Sequence, residues 1–455
     1  MNKHKSTKKL VILSLLVLVV AIVVIIRVFF WANSEVINRE VNRTDQNTLP
    51  WTRKATFTPD PKIQKQLADD YVQKYFSPWN NEDIKQSLQK TRTLELEVAQ
   101  KFGKKPGWDE NRQRHSIKWI LKIIDNMNLS KIPNLNMKAI SIEGANVRMM
   151  PTIEPLFKYW KKAGEGYPFD YLQTTRISAN TPVAVLNISK DGEWYLIKAS
   201  GYIGWVQNHN IAFVNNNFIR RWQKPPYVVA IKNNQPMFDN NLRYRSKTHL
   251  AILYPLVKSN KSYYKVLIAI PSSNKYAKNK LVNLSKKVAT RFPIPITIKN
   301  IAQVANNMLG QPYGWGSLYG YNDCSAMTMN LFANFGIWLP RDSTDQIEVG
   351  KQISLDGLSN AQKERLIIEK GIPFLTLIHL PGHIMIYIGH KGKHVYTLHN
   401  PWGLKTRNLF WQEGRAIIGR VVITPLNLGH RYLNIPSTLL SAIDKISVLY
   451  EMPTK

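Results

Sequence analysis

Tyr321-Asn322-Asp323-Cys324-Ser325-Ala326 holds the single cysteine of a 455-residue chain. The stretch stands at the entry of an expected helix, Ser325 to Phe335, with Gly336 next, where a left-handed backbone most easily closes a helix. The first N–H groups of such a helix lack partners within it and favour negative charge beside them. A thiol placed there is expected to ionise more readily than a free one and to serve as a nucleophile. The alternative is a buried structural thiol, since unpaired cysteine packs as a small hydrophobe. Polar Asp323 and Ser325 on either side, with no enclosing apolar run, favour the nucleophile.

Working outward, Ile301, Val304, Ala305 and Met308 recur on one helical face ended by Gly310, so the cysteine helix is the second of a pair joined by the loop Gln311 to Asn322. Strands are expected at His383 to Gly389, Val395 to His399 and Arg420 to Ile423. Helices before strands make this an α+β unit beginning near Pro295. A thiolate needs a base, and the base needs a third polar group to orient it. A three-residue loop, His390-Lys391-Gly392, sets Gly389 opposite Lys393 and carries His383 opposite His399, with Cβ atoms about 4.5–5.5 Å apart. Zinc held by His379 and His383 is disfavoured, because Pro381-Gly382 between them forbids a helix and no accompanying glutamate motif is present. No metal or other cofactor is expected.

Upstream lie two runs of short strands. The first, about 137–215, includes Pro182 to Leu186, Trp194 to Ile197 and Tyr202 to Val206; the second, about 216–292, includes Tyr227 to Ile231, Ala251 to Leu256 and Tyr263 to Ala269. Each reads as a small barrel. Before them, residues 48–130 read as a small helical domain, with Asp60-Pro61 as cap and first turn and helical stretches at about Asp83 to Phe102 and around Ile117 to Met127. A polar linker separates these from the N-terminus, where Lys3, Lys5, Lys8 and Lys9 precede an apolar run from Leu10 to Trp31, broken only by Arg27. That pattern is expected to span a membrane with the lysines cytoplasmic; a cleaved signal segment is the alternative. Residues 295–427 hold the cysteine unit and 428–455 a C-terminal extension. A content of 44% hydrophobic residues with 13 tryptophans supplies several cores, and a formal charge of +32 calls for an acidic neighbourhood: nucleic acid, an anionic membrane or an anionic wall polymer. Nucleic acid is disfavoured, since no zinc-knuckle spacing or basic-aromatic recognition motif is present.

Gln311-Pro312-Tyr313-Gly314-Trp315-Gly316, Asp323-Cys324-Ser325, Leu339-Pro340-Arg341-Asp342-Ser343, Gly382-His383 through Gly389, and Leu398-His399-Asn400, in that order, resemble the NlpC/p60 papain-like cysteine peptidases. Helical segment and two barrels resemble the multidomain branch of that family, with its stabilising domain and two bacterial SH3-like domains. The resemblance implies a murein hydrolase with Cys324 as nucleophile, His383 as general base, His399 orienting it, and the Tyr313 hydroxyl near the oxyanion. It implies that Asp323, Ser325 and Ser343 bind the substrate peptide and its N-terminal residue, and that Tyr202 lines the entrance. Arg341 could reach a substrate carboxylate or hold its loop by an ion pair. Two positions depart from the family: Gln173-Thr174-Thr175 stands where a first-barrel glutamate often faces the substrate amine, leaving Asp170 and Asp323 as acidic candidates, and the usual glycine pair after the tryptophan is Gly316-Ser317.

The implied protein is an envelope enzyme, anchored in the inner membrane with its catalytic domain outside, cleaving the γ-D-glutamyl-diaminopimelate bond of anionic stem peptides that carry a free L-alanine. The alternatives are an amidase cutting before L-alanine and a wall-binding protein without catalysis.

Overall fold

A computed structural model of the protein describes residues 15, 17, 18, 31–53 and 57–450, and leaves the side chains of 82–90 and 92 undescribed. The expected membrane segment lies outside the described residues except at positions 15, 17, 18 and 31; among the described residues no helix is long and apolar enough to cross a membrane.

The region read as a polar linker contains a helix, α1 (Ser34–Arg43), capped by the Asn33 side chain. It is helical because one narrow stripe, Ile37 and Val41, finds a home among Leu404, Ala416, Ile418 and Leu428 some 370 residues later in the chain. Asp60 accepts the Lys62 amide and Pro61 opens α2 (Pro61–Tyr75), followed by a tight turn at Ser77–Trp79, then α3 (Asn81–Gly103) and α4 (Ile117–Asn126). These helices do not form a core of their own. Leu67, Tyr71, Tyr75 and Trp79 are buried in one cluster with Ile140, Trp222, Leu253 and Phe332, and Trp79 Nε1 donates to the Ala139 carbonyl at 2.8 Å. From α3 and α4, Val98, Phe102, Ile120 and Met127 pack with Leu172, Leu196 and Trp205. The helical segment is therefore a wedge that joins the other units through shared apolar surface.

The first barrel contains β1 (Met137–Ser141), β2 (Ala145–Arg148), β3 (Gln173–Ile177), β4 (Pro182–Ile188), β5 (Trp194–Ala199), β6 (Tyr202–Gln207) and β7 (Ile211–Phe213), ordered β3-β2-β6-β5-β4-β1-β7. After α5 (Asn216–Trp222) comes the second, with β8 (Tyr227–Ala230), β9 (Pro236–Phe238), β10 (Tyr244–Lys247), β11 (Tyr254–Ser259), β12 (Tyr263–Pro271), β13 (Ala277–Ser285) and β14 (Ala289–Arg291). Then α6 (Ile298–Asn306) and α7 (Cys324–Ala333) lead, through α8 (Ser343–Gln346), β15 (Lys351–Ser354) and α9 (Asn360–Lys370), to β16 (Thr376–Leu380), β17 (His383–Lys391) and β18 (His394–His399). A separate hairpin, β19 (Gly403–Arg407) and β20 (Glu413–Ile417), precedes β21 (Val422–Pro425), α10 (Leu439–Ala442) and β22 (Lys445–Val448). The main sheet runs β15-β22-β16-β17-β18-β21. The stretch after 427 is thus no appendage: β22 lies between β15 and β16, with Ile446 buried in the sheet's core.

Candidate active site

Helix α7 starts at the cysteine because Asp323, in extended backbone, accepts the Ala326 amide at 2.8 Å and satisfies a donor that would otherwise be orphaned. The helix is apolar almost all round and is sunk against β17, so Cys324 is only 9% exposed. That burial reverses the electrostatics expected of a helix entry. Burial first, and the Asp323 charge second, push the thiol up to about 12, against the opposing pull of the Ile384 amide, Arg341 and the Ser325 amide. At rest the cysteine is a protonated thiol. The Ile384 amide acting on the sulfur also places it at the start of β17, next to His383 in the chain.

His383 and His399 meet, by a different register from the expected one. The hairpin loop is the two residues Gly392-Lys393, with Lys391 opposite His394. Continued without interruption, that pairing would set His383 and His399 on opposite faces of the sheet, since a one-residue slip flips every side chain. A bulge at Ile388 restores the face: Gly389 pairs with Tyr396, but Tyr387 pairs with Thr397 and Ile386 with Leu398. His399 then lies diagonal to His383, and His383 Nε2 and His399 Nδ1 are 2.9 Å apart. Gly389 takes φ +137°, a conformation only glycine adopts freely, and a Cβ there would stand 3.1 Å from the Trp51 ring that covers the bulge. The other His399 nitrogen, Nε2, is 2.9 Å from Thr424 Oγ1 on β21. Burial pushes His383 down to about 4, with His379 adding to the effect, and holds His399 well below its usual range. Both rings are neutral at pH 7. With Thr424 accepting from His399 Nε2–H, His399 Nδ1 accepts from His383 Nε2–H and leaves His383 Nδ1 bare, able to take a proton.

Asp323 and Arg341 form a closed pair. Arg341, 5% exposed, donates from Nη2 to Asp323 Oδ2 at 2.5 Å, from Nη1 to Asp323 Oδ1 at 3.2 Å and to Ser325 Oγ at 2.7 Å, and from Nε to Thr175 Oγ1 of the first barrel at 2.8 Å. Of the two roles open to Arg341 in the sequence, the geometry is that of the ion pair, with four hydrogen bonds made inside the protein. Asp170 is likewise enclosed: its carboxylate meets Arg148 and accepts the Leu156 and Leu172 amides, while its carbonyl accepts from Trp315 Nε1 at 2.8 Å. Tyr313 lies near Cys324, Asp323 and Arg341, with its hydroxyl pushed well up by burial, and is fixed by its amide on the Gly419 carbonyl and by the Trp402 ring. Ser343 opens α8, half-buried. Tyr202 lines a cavity of about 90 Å³ with Tyr71, Arg176 and Trp338, a space that neither Cys324 nor His383 lines.

Several partners escaped sequence reasoning: Thr424, Thr175 and Gln346, whose amide holds the Ser325 and Pro340 carbonyls, and Asn400, which donates to the Asn322 carbonyl just before the cysteine. Only Asn400 carried a signal, standing beside His399. The Trp315–Gly320 loop bends through left-handed residues, and Gly316 presses on the first barrel so closely that a Cβ would meet Gln173 Cγ at 2.6 Å. Gln173 Nε2 donates to the Gly316 carbonyl at 2.8 Å. Ser317, at φ +60°, takes a glycine's conformation with a side chain, a strain of about 1–2 kcal/mol. Among the described residues no group of three or more His, Cys, Asp or Glu side chains is arranged to hold a metal ion.

Three segments match family models: residues 31–131 the NLPC_P60 N-terminal stabilising domain, residues 155–207 an SH3 domain of SH3b1 type, and residues 310–412 the NlpC/P60 family. The chain is 32% identical over 146 residues to a γ-D-glutamyl-L-lysine dipeptidyl-peptidase of Bacillus subtilis (strain 168), covering 31% of this chain and 46% of that protein. It is 25% identical over 218 residues to the protein of that name from Bacillus cereus (strain ATCC 10987 / NRS 248), covering 44% of this chain and 61% of that one. The chain thus spans about half to three-fifths of the length of these relatives. An NlpC/P60 endopeptidase from Photobacterium damselae subsp. piscicida superposes with a TM-score of 0.79 at 27% identity, over 90% of this chain and 98% of that one. Ordered motifs, stabilising segment, SH3-like barrel and the superposition over 90% of the chain agree: the chain carries an NlpC/P60 domain, preceded by that family's stabilising domain and an SH3-like barrel.

Proposed function

We propose that the protein is a cysteine endopeptidase of murein stem peptides that cuts after the γ-linked D-glutamate, before diaminopimelate. The observation that supports this most is the Cys324 thiol at the start of α7 against the strand that carries His383, with His399 and Thr424 holding that ring. In this reading His383 Nδ1 takes the thiol proton as the sulfur attacks the γ-carbonyl, because thiol and imidazole are both neutral at rest. The imidazolium then gives its proton to the leaving amine, and water attacks the thioester with His383 again as base. The Cys324 amide, which as a first-turn N–H has no partner within the helix, and the Tyr313 hydroxyl would hold the oxyanion. The names of the Bacillus relatives, which give a γ-D-glutamyl-L-lysine bond, support the γ-D-glutamyl side of this choice.

Preference for a free L-alanine rests on shape more than on charge. Asp323 is neutralised by Arg341 and Asp170 by Arg148, so neither offers a substrate ammonium a bare carboxylate, whereas the first barrel leans over the cysteine loop through Gln173 and Gly316. The lysine-led apolar N-terminus and the charge of +32 support an envelope enzyme held at the inner membrane with its catalytic domain outside, facing anionic stem peptides. L-Ala-γ-D-Glu-diaminopimelate, its N-acetyl form and intact murein, compared by product mass with Cys324→Ala as blank, test the reading. The two tripeptides should be cut within about tenfold of each other, since an already paired carboxylate gains little from one more charge, and murein far more slowly. Release between muramic acid and L-alanine would replace the endopeptidase with an amidase; binding without turnover would leave a wall-binding protein.

A further inference from the structure

The β19–β20 hairpin stands outside the main sheet, and its tip carries Leu409, Phe410 and Trp411 at 63%, 83% and 75% exposure. Three consecutive large apolar side chains in open water are a recognition feature rather than ordinary surface. The tip is held in this display. Asn408 Oδ1 accepts the Phe410 and Gln412 amides, both at 2.9 Å, and the Arg407 guanidinium stands 5.2 Å over the Trp411 ring.

The end of the N-terminal apolar run lies beside this tip. Trp31 to Ser34 line a groove of about 800 Å³ together with Arg407, Asn408 and Gln412, the residues flanking the tip. The position is fixed: Ala32 and Asn434 exchange two hydrogen bonds at 2.7 and 2.8 Å, and Ser34 Oγ accepts the Ile417 amide at 2.8 Å. Lys161, Lys162, Arg407 and Arg415 surround the groove; its one carboxylate, Glu413, is bound by Lys405. Trp31 at the end of the apolar run, an apolar tip containing tryptophan, and a cationic rim on one side of the molecule match the layers of a bilayer with anionic headgroups.

We propose that the Leu409–Trp411 tip inserts into the headgroup region of an anionic phospholipid bilayer, as a second contact next to the N-terminal segment. The proposal rests on the envelope reading above. Its consequence is orientation: Gly419, just past the hairpin, accepts the Tyr313 amide, so the membrane contact and the active site share one rigid piece. Two contacts on one side fix the direction in which the active site faces.

The test uses the full chain with Cys324→Ala, a nitrobenzoxadiazole label at Phe410→Cys or, as control, at Lys261→Cys in the second barrel, and vesicles of equal parts phosphatidylethanolamine and phosphatidylglycerol. Both labelled proteins should sediment with the vesicles. Only the label at 410 should brighten several-fold and be quenched by spin-labelled lipid. Sedimentation with a water-exposed label at 410 overturns the tip contact and leaves the anchor standing, whereas no sedimentation overturns both. Brightening at 410 on isolated murein sacculi, without vesicles, assigns the tip to the wall and overturns the proposal.

Discussion

The two barrels share a strand order, β3-β2-β6-β5-β4-β1-β7 in the first and β10-β9-β13-β12-β11-β8-β14 in the second, yet only the first reaches the chemistry. They diverge in the connection after the second strand. In the second barrel residues 239–243 turn tightly from β9 to β10 around the Asp239 carboxylate. In the first, the chain from Met149 to Leu172 forms a long excursion between β2 and β3, and its Phe169 and Asp170 meet Trp315. Helix α7 is consequently gripped at both ends by different barrels: Thr175 reaches Arg341 and through it Asp323 at the cysteine end, while Asn334 at the far end bonds Ala230 and Ala251 of the second barrel. The same topology serves as a wall of the active site in one case and as a brace in the other, and one connection makes the difference.

Substitution at the two ends of α7 should separate these roles most sharply. Arg341→Met leaves the Asp323 carboxylate buried without its cation, at a cost of about 3–5 kcal/mol. With the helix entry displaced, kcat/KM should drop on the order of 100-fold. Asn334→Ala should cost about 1–3 kcal/mol from its orphaned partners with kcat/KM unchanged in the folded protein. Urea unfolding and peptide hydrolysis measure both. Equal catalytic losses from the two would abolish the distinction between wall and brace.

The relay within the sheet should be indifferent to either barrel. His399→Ala should lower kcat by about 10–100-fold, and His399→Asn or His399→Gln by less, because an amide can still accept from His383. Thr424→Val should cost only a few-fold. Identical activity in all four variants would remove His399 from the site.

A smaller effect is expected at the overhang: Gln173→Ala removes the bond to the Gly316 carbonyl, worth about 1 kcal/mol, and should raise KM more than it lowers kcat. A pure kcat effect would mean that the first barrel acts on chemistry rather than on peptide placement. The mildest contrast is with pH. His249, in the second barrel, is pushed down to about 4 by burial and by Arg176 and Lys247, as His383 is by burial and His379. Both folded values lie below the unfolded one near 6.5, so the unfolded chain binds protons first. Their contribution to stability is full above that value and is lost as pH falls from about 6.5 towards 4. His249→Gln should flatten this acid slope of stability and leave the pH profile of kcat alone, which His383 should keep high to about pH 5. In the resting enzyme, iodoacetamide should react slowly at neutral pH and faster only towards alkaline pH; rapid alkylation at pH 6 would contradict the buried, protonated thiol.

Local chemistry made much of this legible. Asp60 and Pro61 opening α2, and the short runs of strand-forming residues that become β4, β5 and β6, are decided within a few residues, by capping geometry and by intrinsic preference between turn residues. The two histidines meet although the register differs from the one a three-residue loop predicts, because the two-residue loop and the bulge at Ile388 shift the register by amounts that cancel in the side-chain face. Nothing in residues 383 to 399 announces that bulge except Gly389, and its reason, the Trp51 ring lying on it, comes from the far N-terminal part of the chain.

By itself the sequence determined the candidate site residues and most of the helices and strands around them, α1 and β22 excepted, since capping, periodicity and motif spacing act over a few residues. Only the tertiary structure decided the partners and charges: Arg341 against Thr175 and Asp323 rather than open to substrate, Thr424 behind His399, β22 inside the sheet, and the protonated state of Cys324. Those depend on burial and on contacts between residues tens to hundreds of positions apart. A helix entry favours a thiolate in water, but the same entry packed beneath β17 is governed by desolvation, which no local pattern of residues records.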